Sequence, residues 1–208
     1  MGSQILAIAE IASIPLVVSN QLPESTSTVT GFVFTAADGK TTLTEPSTIA
    51  TYLSEAAADK TVASRLVGAT PGERLTLQQW LFWNQARFEP AVKQLSAVTQ
   101  GGSTHGPEQK TAARDLVGMV EHLEKGLRDE QWNGRDTLLD SGDNSGPSLA
   151  DVAVASTLLA AWAVGFDEDT RGDFPNALKL YERVSQIEGL GELFPEESSL
   201  DNDWSDDS

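Results

Sequence analysis

Residues 148–162, SLADVAVASTLLAAW, constrain the fold of this chain more than any other stretch. Ser148 followed by Asp151 is typical of a capping box, in which each side chain bonds the other residue's backbone N–H at the start of a helix. The residues that follow the box are apolar or small on nearly every side: Val152, Ala153, Ala155, Ser156, Leu159, Ala160 and Ala163. A helix that is apolar all round is buried. The sequence therefore predicts a central helix with other helices packed around it.

Composition supports a hydrophobic core, since 39% of the 208 residues are hydrophobic. The sequence contains no Cys. The length fits one large domain or two small ones. The lack of Cys excludes disulfides, thiol nucleophiles and Cys-ligated metal sites. The longest apolar run is too short to cross a bilayer, and the N-terminus lacks the basic region of a signal peptide. We expect a soluble protein of the cytoplasm.

The formal net charge is −17, and six acidic residues fall within residues 196–208. Binding to nucleic acid phosphates requires Lys and Arg in number, and the sequence contains no basic cluster. This argues against direct nucleic-acid binding by this chain. The composition beyond Phe194 is mostly Glu, Asp, Ser and Asn, which predicts an acidic disordered tail over residues 196–208.

The N-terminal part carries strand and turn signals. Asp38-Gly39 is a strong hairpin turn, and Pro46 suits the first turn of a helix, where its missing N–H does no harm. The sequence predicts, in order, a helix over 4–12, a strand over 14–18, a polar turn region over 19–30, strands over 31–35 and 41–44, and a helix from 46 to about 58.

The rest of the sequence, after residue 58, is predicted to be mostly helical. Pro90 interrupts the first long amphipathic pattern, so we expect a kink there. The sequence predicts a connector over 61–71, a helix over 74–98, a loop over 100–107, a helix over 108–128, a turn-rich segment over 132–147, the central helix, an acidic loop over 165–173 and a last helix opened by Phe174-Pro175-Asn176.

Four segments resemble, in the same order, motifs of the glutathione transferases: LTEPSTIATYL (43–53), WLFWNQARFEP (80–90), SLADVAVASTLL (148–159) and FPNALKLYERV (174–184). The resemblance implies an α+β fold that is mostly α. A small truncated thioredoxin-like subdomain, residues 1–66, would pack on an all-helical subdomain, residues 67–195. The family's first strand has no clear counterpart here. This shortened form resembles the domains of aminoacyl-tRNA synthetases, their scaffold and tRNA-binding cofactors, and elongation factor 1 gamma.

The resemblance also shows which elements of a glutathione site the sequence lacks. Ser3, Ser13 and Ser19 are the early hydroxyl candidates, and none has a recognisable context. Residues 27–34 contain no Pro where the family has one. Pro46 stands where the family has a Ser that binds glutathione through its hydroxyl and N–H, and proline offers neither group. We expect no catalytic site and no cofactor.

Histidine-based catalysis and metal binding have still weaker support in the sequence. His105 lies in a Gly-rich stretch and His122 on an amphipathic helix, and both are expected to be solvated. The acidic stretches 140–144 and 167–173 lack the spacing and terminal Glu of a calcium-binding EF-hand. We expect no metal site.

In this family, dimers form along the third and fourth helices, so the resemblance implies an interface on residues 46–58 and 74–98. Ile49, Leu53 and Ala56 share one helix face, which we assign to the core. The expected interface residues are Thr48, Thr51, Tyr52 and Glu55 on the first segment and Trp80, Trp83 and Arg87 on the second, with one of the two Trp in the core. Arg171 is a candidate for a second surface, near Asn176 and Lys179.

The resemblance implies a non-catalytic interaction module for translation. Such a module would dimerise, or assemble aminoacyl-tRNA synthetases into a complex by pairing with related domains as a homodimer or heterodimer. Binding of tRNA would then lie in a further domain beyond Ser208. Two alternatives stay open: a subunit domain of the elongation factor 1 complex, and an active glutathione transferase that uses an unrecognised Ser.

Overall fold

The computed structural model describes residues 2–17, 33–100, 106–128, 137–139 and 146–195. The polar region 19–30, most of the loop over 100–107, most of the turn-rich segment and the tail lie outside the described residues. The described elements are α1 (Gly2–Ile11), β1 (Phe34–Thr35), β2 (Thr42–Leu43), α2 (Pro46–Ala56), α3 (Lys60–Val67), α4 (Pro71–Trp83), a π-helical turn (Asn84–Phe88), α5 (Glu89–Gln100), α6 (Pro107–Arg128), α7 (Leu149–Gly165), α8 (Glu168–Gly172) and α9 (Pro175–Ser185).

The central position of α7 is confirmed. It packs against α1, α2, α3, α4, α5 and α9, and eleven of its 17 residues are buried. One narrow stripe along α7 is less buried than predicted. Ser156 and Leu159 are half-buried, and Ala160 and Ala163 are exposed. No described helix is both long and apolar enough to cross a membrane.

The capping box at the start of α7 is confirmed and does more than cap the helix. Asp151 Oδ2 accepts the backbone N–H and the hydroxyl of Ser148, each at 2.6 Å, and the Asp151 N–H donates to Ser148 Oγ at 3.3 Å. Asp151 Oδ1 accepts the Leu138 N–H at 2.6 Å. One carboxyl group therefore fixes both the start of α7 and the segment 137–139, a contact that the sequence did not reveal.

The N-terminal half follows the prediction at the hairpin and departs from it before the hairpin. The helix over 4–12 is confirmed as α1, and β1 and β2 pair antiparallel with Phe34 opposite Leu43. Asp38 Oδ1 accepts the N–H groups of Lys40 and Thr41, which closes the turn. The strand over 14–18 is wrong for residues 14–17, which form no strand. A strand needs a partner, and Val17 is instead 96% exposed.

Two short helices replace a predicted connector and a predicted loop. Residues 61–71 contain most of α3, which begins where the Asp59 carboxylate accepts the Thr61 N–H. Residues 165–173 contain α8, whose first turn is capped in the same way by Asp167. Both loop predictions were wrong because helices of eight and five residues give too little periodicity to recognise.

The long helix over 74–98 is interrupted, as Pro90 predicted, but the break precedes the proline. Pro90 has no N–H for the Ala86 carbonyl, and the Glu89 N–H bonds the Asn84 carbonyl five residues back. Such a π-helical turn is one of the recognised causes of a helix kink. The helix also begins earlier than predicted, at a capping box of Thr70 and Glu73.

Asp151→Asn tests how much this buried carboxyl group stabilises the fold. An amide nitrogen cannot accept a hydrogen bond, so one of the N–H groups of Leu138 and Ser148 would lose its acceptor. We expect the free energy of unfolding to fall by about 1–3 kcal/mol at acidic pH, measured by urea unfolding. Asp115→Asn, at an exposed position of α6, is the control and should change little.

The stability difference should also depend on pH. Burial raises the pKa of Asp151, although the N–H and hydroxyl donors oppose that shift. Above the ordinary Asp value of about 3.9, the unfolded chain releases a proton that the folded chain still holds. The contribution of Asp151 is thus complete below that value and declines as the pH rises through the raised pKa. A deficit of the Asn variant that grows with pH would contradict this.

Candidate protein-interaction site

An open groove of about 470 Å³ lies between the outer faces of α2 and α4. We call it the α2–α4 groove. All four α2 residues that the sequence predicted for an interface lie in its wall. The groove is lined by Leu43, Ser47, Thr48, Thr51, Tyr52, Glu55, Gln78, Leu81, Phe82 and Gln85.

Helical spacing divides α2 into an outer and an inner face. Ile49 and Leu53 are buried, as predicted, whereas Ala56 is exposed and Ala57 takes its place in the core. On the outer face, the Thr51 hydroxyl donates to the Ser47 carbonyl at 2.8 Å. The polar group of Thr51 is therefore satisfied within its own helix.

Two contacts hold the ends of the α2–α4 groove. The ring of Tyr52 packs on Phe34 of the hairpin, with centroids 5.5 Å apart. Gln85 Nε2 donates to Glu45 Oε2 at 3.1 Å, which links the π-helical turn to the residue before α2. Glu45, just before the first turn of α2, therefore has a hydrogen-bonding role of its own.

Phe82 is the most exposed large apolar side chain of this groove, and the sequence did not single it out. Its side chain is 71% exposed, an unusual state for a large aromatic side chain. The signal was present in the sequence, since Leu77 and Leu81 share one helix face and Phe82, one position further along, points away from it. Contiguous apolar surface marks protein-binding sites, and Phe82 shares the lining of the groove with Leu43, Tyr52 and Leu81.

The other predicted residues of the fourth helix do not line this groove. Of the two Trp, Trp80 is the core residue, at 5% exposure. Trp83 is half-buried and Arg87 is exposed, and both line a second cleft on the opposite side of Phe82. We call it the α4–α6 cleft, and its further residues include His122, Lys125 and Gly126.

Arg171 is not part of a surface, which corrects the prediction. Its side chain is 3% exposed, and Nη1 donates to the Phe166 carbonyl at 3.2 Å. The reason is that α8 folds Arg171 inward against the end of α7. Asn176 is also engaged, because the N–H groups of Asn176 and Ala177 both donate to Glu124 of α6. Only Lys179 of that predicted surface is exposed.

The elements expected for glutathione binding are placed as follows. Pro46 occupies the first turn of α2. Ser3 is half-buried near the start of α1, and Ser13 is exposed in the turn after it, while Ser19 lies outside the described residues. Near Ser3, a small cavity of about 190 Å³ lies between α1, α5 and α7 and is lined by Gln4, Lys93 and Thr157, among others.

A metal centre has no support in the described part of the chain. Within it, no group of three or more His, Asp or Glu side chains is arranged to hold an ion. His122, which the sequence placed on an amphipathic helix, is exposed and lies beside aromatic rings.

Sequence comparison finds relatives among fungal proteins. No protein-family model matches the sequence. The chain is 27% identical over 175 residues to a glutathione S-transferase-like protein of Aspergillus aculeatus, covering 79% of this chain and 73% of that protein. It is 31% identical over 153 residues to the glutathione S-transferase-like protein FUS3 of Gibberella fujikuroi, covering 73% of this chain and 67% of that protein.

Structure comparison finds the same architecture in solved structures. A glutathione transferase of Bombyx mori matches with a TM-score of 0.71 and 19% identity, over 92% of this chain and 86% of that chain. The glutathione-transferase-like domain of elongation factor 1-gamma from Saccharomyces cerevisiae matches with a TM-score of 0.66 and 19% identity, over 78% and 71%. The fold is therefore the expected one: a reduced thioredoxin-like part with a two-stranded sheet, packed on a helical bundle.

Two glycines of α6 offer a matched test of the packing beneath the α4–α6 cleft. A Cβ on Gly126 would lie 2.8 Å from Cη2 of Trp80, whereas a Cβ on Gly118 would meet nothing within 4 Å. The Trp80 ring is buried and cannot yield freely, so Gly126→Ala should lower the free energy of unfolding by about 1–3 kcal/mol. Gly118→Ala should raise it by about 0.5–1 kcal/mol. Urea unfolding that gave both changes the same sign would contradict this account.

Proposed function

Because this chain belongs to the glutathione S-transferase-like proteins, we propose that it uses their fold as a non-catalytic module, which binds another protein through the α2–α4 groove. The observation that carries the proposal is the position of Phe82. This exposed aromatic ring stands at the rim of a groove that also contains Thr48, Thr51 and Tyr52.

The make-up of the groove supports protein binding. Its wall combines apolar side chains with small hydroxyl residues, and Glu55 is the one charged side chain among the described residues that line it. Depletion of charge and enrichment in aromatic residues are typical of the centre of protein interfaces. Small residues such as Thr48 and Thr51 also let a partner helix approach closely.

The absence of catalysis is supported by the residues near α1 and α2. Pro46 offers neither a hydroxyl nor an N–H at the position where the family's Ser binds glutathione. The carboxylate of Glu45 is held by Gln85. Ser3 lies within the helix α1.

We propose that the partner is a second domain of the same fold, in a homodimer or a heterodimer. Aminoacyl-tRNA synthetases, which the resemblance of the sequence suggested, are the first partners to test. The second candidate is the elongation factor 1 complex, which the likeness in fold to the gamma subunit's domain favours.

Phe82→Glu is expected to disrupt pairing, because it places a charge where an apolar ring would be buried. Sedimentation velocity of the purified chain should show a dimer that shifts toward monomer in this variant. Gln94→Glu, which adds the same charge at an exposed position of α5, is the matched control and should leave the profile unchanged.

The α2 wall can be tested separately with Thr51→Arg combined with Tyr52→Glu, which leaves the net charge unchanged. This pair should also shift the profile toward monomer if α2 contributes half of the surface. If the parent chain is monomeric alone, the same variants are compared in a pull-down from lysate read by mass spectrometry. Identical sedimentation and identical partners for all variants would overturn the proposed surface.

Activity assays test the absence of catalysis. We expect no retention on glutathione-agarose and no conjugation of a chlorinated nitrobenzene above the uncatalysed rate. Ser3→Ala is the matched variant, since Ser3 is the half-buried hydroxyl near the start of α1. Conjugation that Ser3→Ala abolishes would establish a transferase and overturn this part of the proposal.

A further inference from the structure

Thr70 and Pro71 join α3 to α4, and they are the one place in the 208 residues where a Ser or Thr precedes a Pro. Both residues are exposed. The backbone of Thr70 is extended, with φ −104° and ψ 158°, because the ring of the following proline disfavours the helical conformation. An exposed Thr-Pro step on extended backbone is the form in which proline-directed protein kinases bind their substrates.

The hydroxyl of Thr70 can act as a phosphoryl acceptor. Its Oγ accepts the Glu73 N–H at 3.2 Å, and within the described part of the chain no group accepts its O–H proton. In the transfer, Oγ forms a bond to the γ-phosphorus of ATP, and the bond from that phosphorus to the β–γ bridging oxygen breaks. ADP leaves, and the O–H proton passes to the catalytic Asp of the kinase.

The first turn of α4 must open for this transfer, since it folds Thr70 into a capping box. Glu73 Oε2 accepts the N–H groups of Ala69 and Thr70, at 2.6 and 3.0 Å. The turn is weak, because Pro71 has no N–H and Gly72 is a poor helix former. Residues 69–72 are all exposed, so opening them removes no side chain from the core. Such local opening requires much less free energy than unfolding of the bundle.

We propose that Thr70 is a phosphorylation site for a proline-directed protein kinase, which reaches it through local opening of the first turn of α4. The phosphate brings a charge of about −1.5 to −2 and repels the carboxylate of Glu73. Arg74 lies four residues after Thr70, on the same side of the helix. Its Nε now donates to the Gly68 carbonyl at 3.0 Å, and the phosphate is the stronger acceptor.

Incubation of the full chain with ATP and a proline-directed kinase, followed by mass spectrometry, tests the site. We expect one phosphate, on Thr70. Thr70→Val, which keeps the branched side chain and removes the hydroxyl, should take up none, and Pro71→Ala should lose most of it. Thr61→Val, at an exposed position of α3, is the matched control and should be phosphorylated like the parent chain.

Two outcomes of this experiment would overturn the site. The first is no phosphate on the chain from a kinase that is active on an unstructured Thr-Pro peptide. The second is a phosphate that persists in Thr70→Val. Circular dichroism verifies that each variant is folded.

The rate of phosphorylation tests access through local opening. A Cβ on Gly72 would meet Thr70 Oγ at 3.9 Å, an ordinary contact, so Gly72→Ala stabilises the turn and should slow phosphorylation about two- to fivefold. Glu73→Ala removes the acceptor of two N–H groups and should speed it by about the same factor. Gly118→Ala makes the same Gly-to-Ala change on α6 and should leave the rate unchanged. Equal rates in all four proteins would contradict access by local opening.

The second pKa of the phosphate, measured by phosphorus NMR, tests its neighbours in the phosphorylated chain. A nearby guanidinium favours the doubly charged phosphate and a nearby carboxylate disfavours it. Arg74→Gln should therefore raise this pKa and Glu73→Gln should lower it. Arg114→Gln, at an exposed position of α6, should leave it unchanged. A pKa that Arg74→Gln does not alter would overturn the pairing of phosphate with Arg74.

This proposal and the pairing through Phe82 can fail separately. Thr70 does not line the α2–α4 groove, and Gln78, the first α4 residue that does, lies about 12 Å further along the helix. The sedimentation profile of the phosphorylated chain should therefore match that of the parent chain. A shift toward monomer on phosphorylation would contradict the separation of the two sites, whereas failure of phosphorylation leaves the pairing untouched.

Discussion

The hydrogen bonds of the buried Asp151 carboxyl group are the interaction on which this fold most depends. Its two oxygens accept donors from Ser148, three residues away, and from Leu138, 13 residues away. A buried carboxyl group is costly unless such donors are fixed around it, and burial accordingly raises its pKa. Because the box sets where α7 begins, it also sets the register of the helix against which six other helices pack.

The placement of α7 decides which surfaces remain for other molecules. It buries the inner faces of α2 and α4, so their outer faces border the α2–α4 groove. The π-helical turn before Pro90 then separates α4 from α5, and α6 follows α5. The space between α4 and α6 becomes a second cleft, with Phe82 on the ridge between the two. The groove and the cleft thus arise from the same bundle geometry.

The candidate site was predictable in part. The α2 residues could be found because spacing of three and four residues separates the outer face of a helix from its inner face. The sequence predicted that one of the two Trp of α4 lies in the core but not which one, since only packing against Gly126 of α6 makes Trp80 the buried one. Arg171 was misplaced because α8 is too short to be recognised. The strand predicted over 14–18 was wrong for residues 14–17, which pair with no described strand.

The sequence by itself determined the cap of α7, the turn at Asp38-Gly39, the central helix and the family, because these depend on short motifs whose residues lie within a few positions of one another. The tertiary structure alone decided that Glu124 caps a helix 52 residues away, that Phe82 stays exposed, and that Arg87 and Lys125 line the same cleft. Such contacts join distant parts of the chain, and they exist only once the helices have packed around α7.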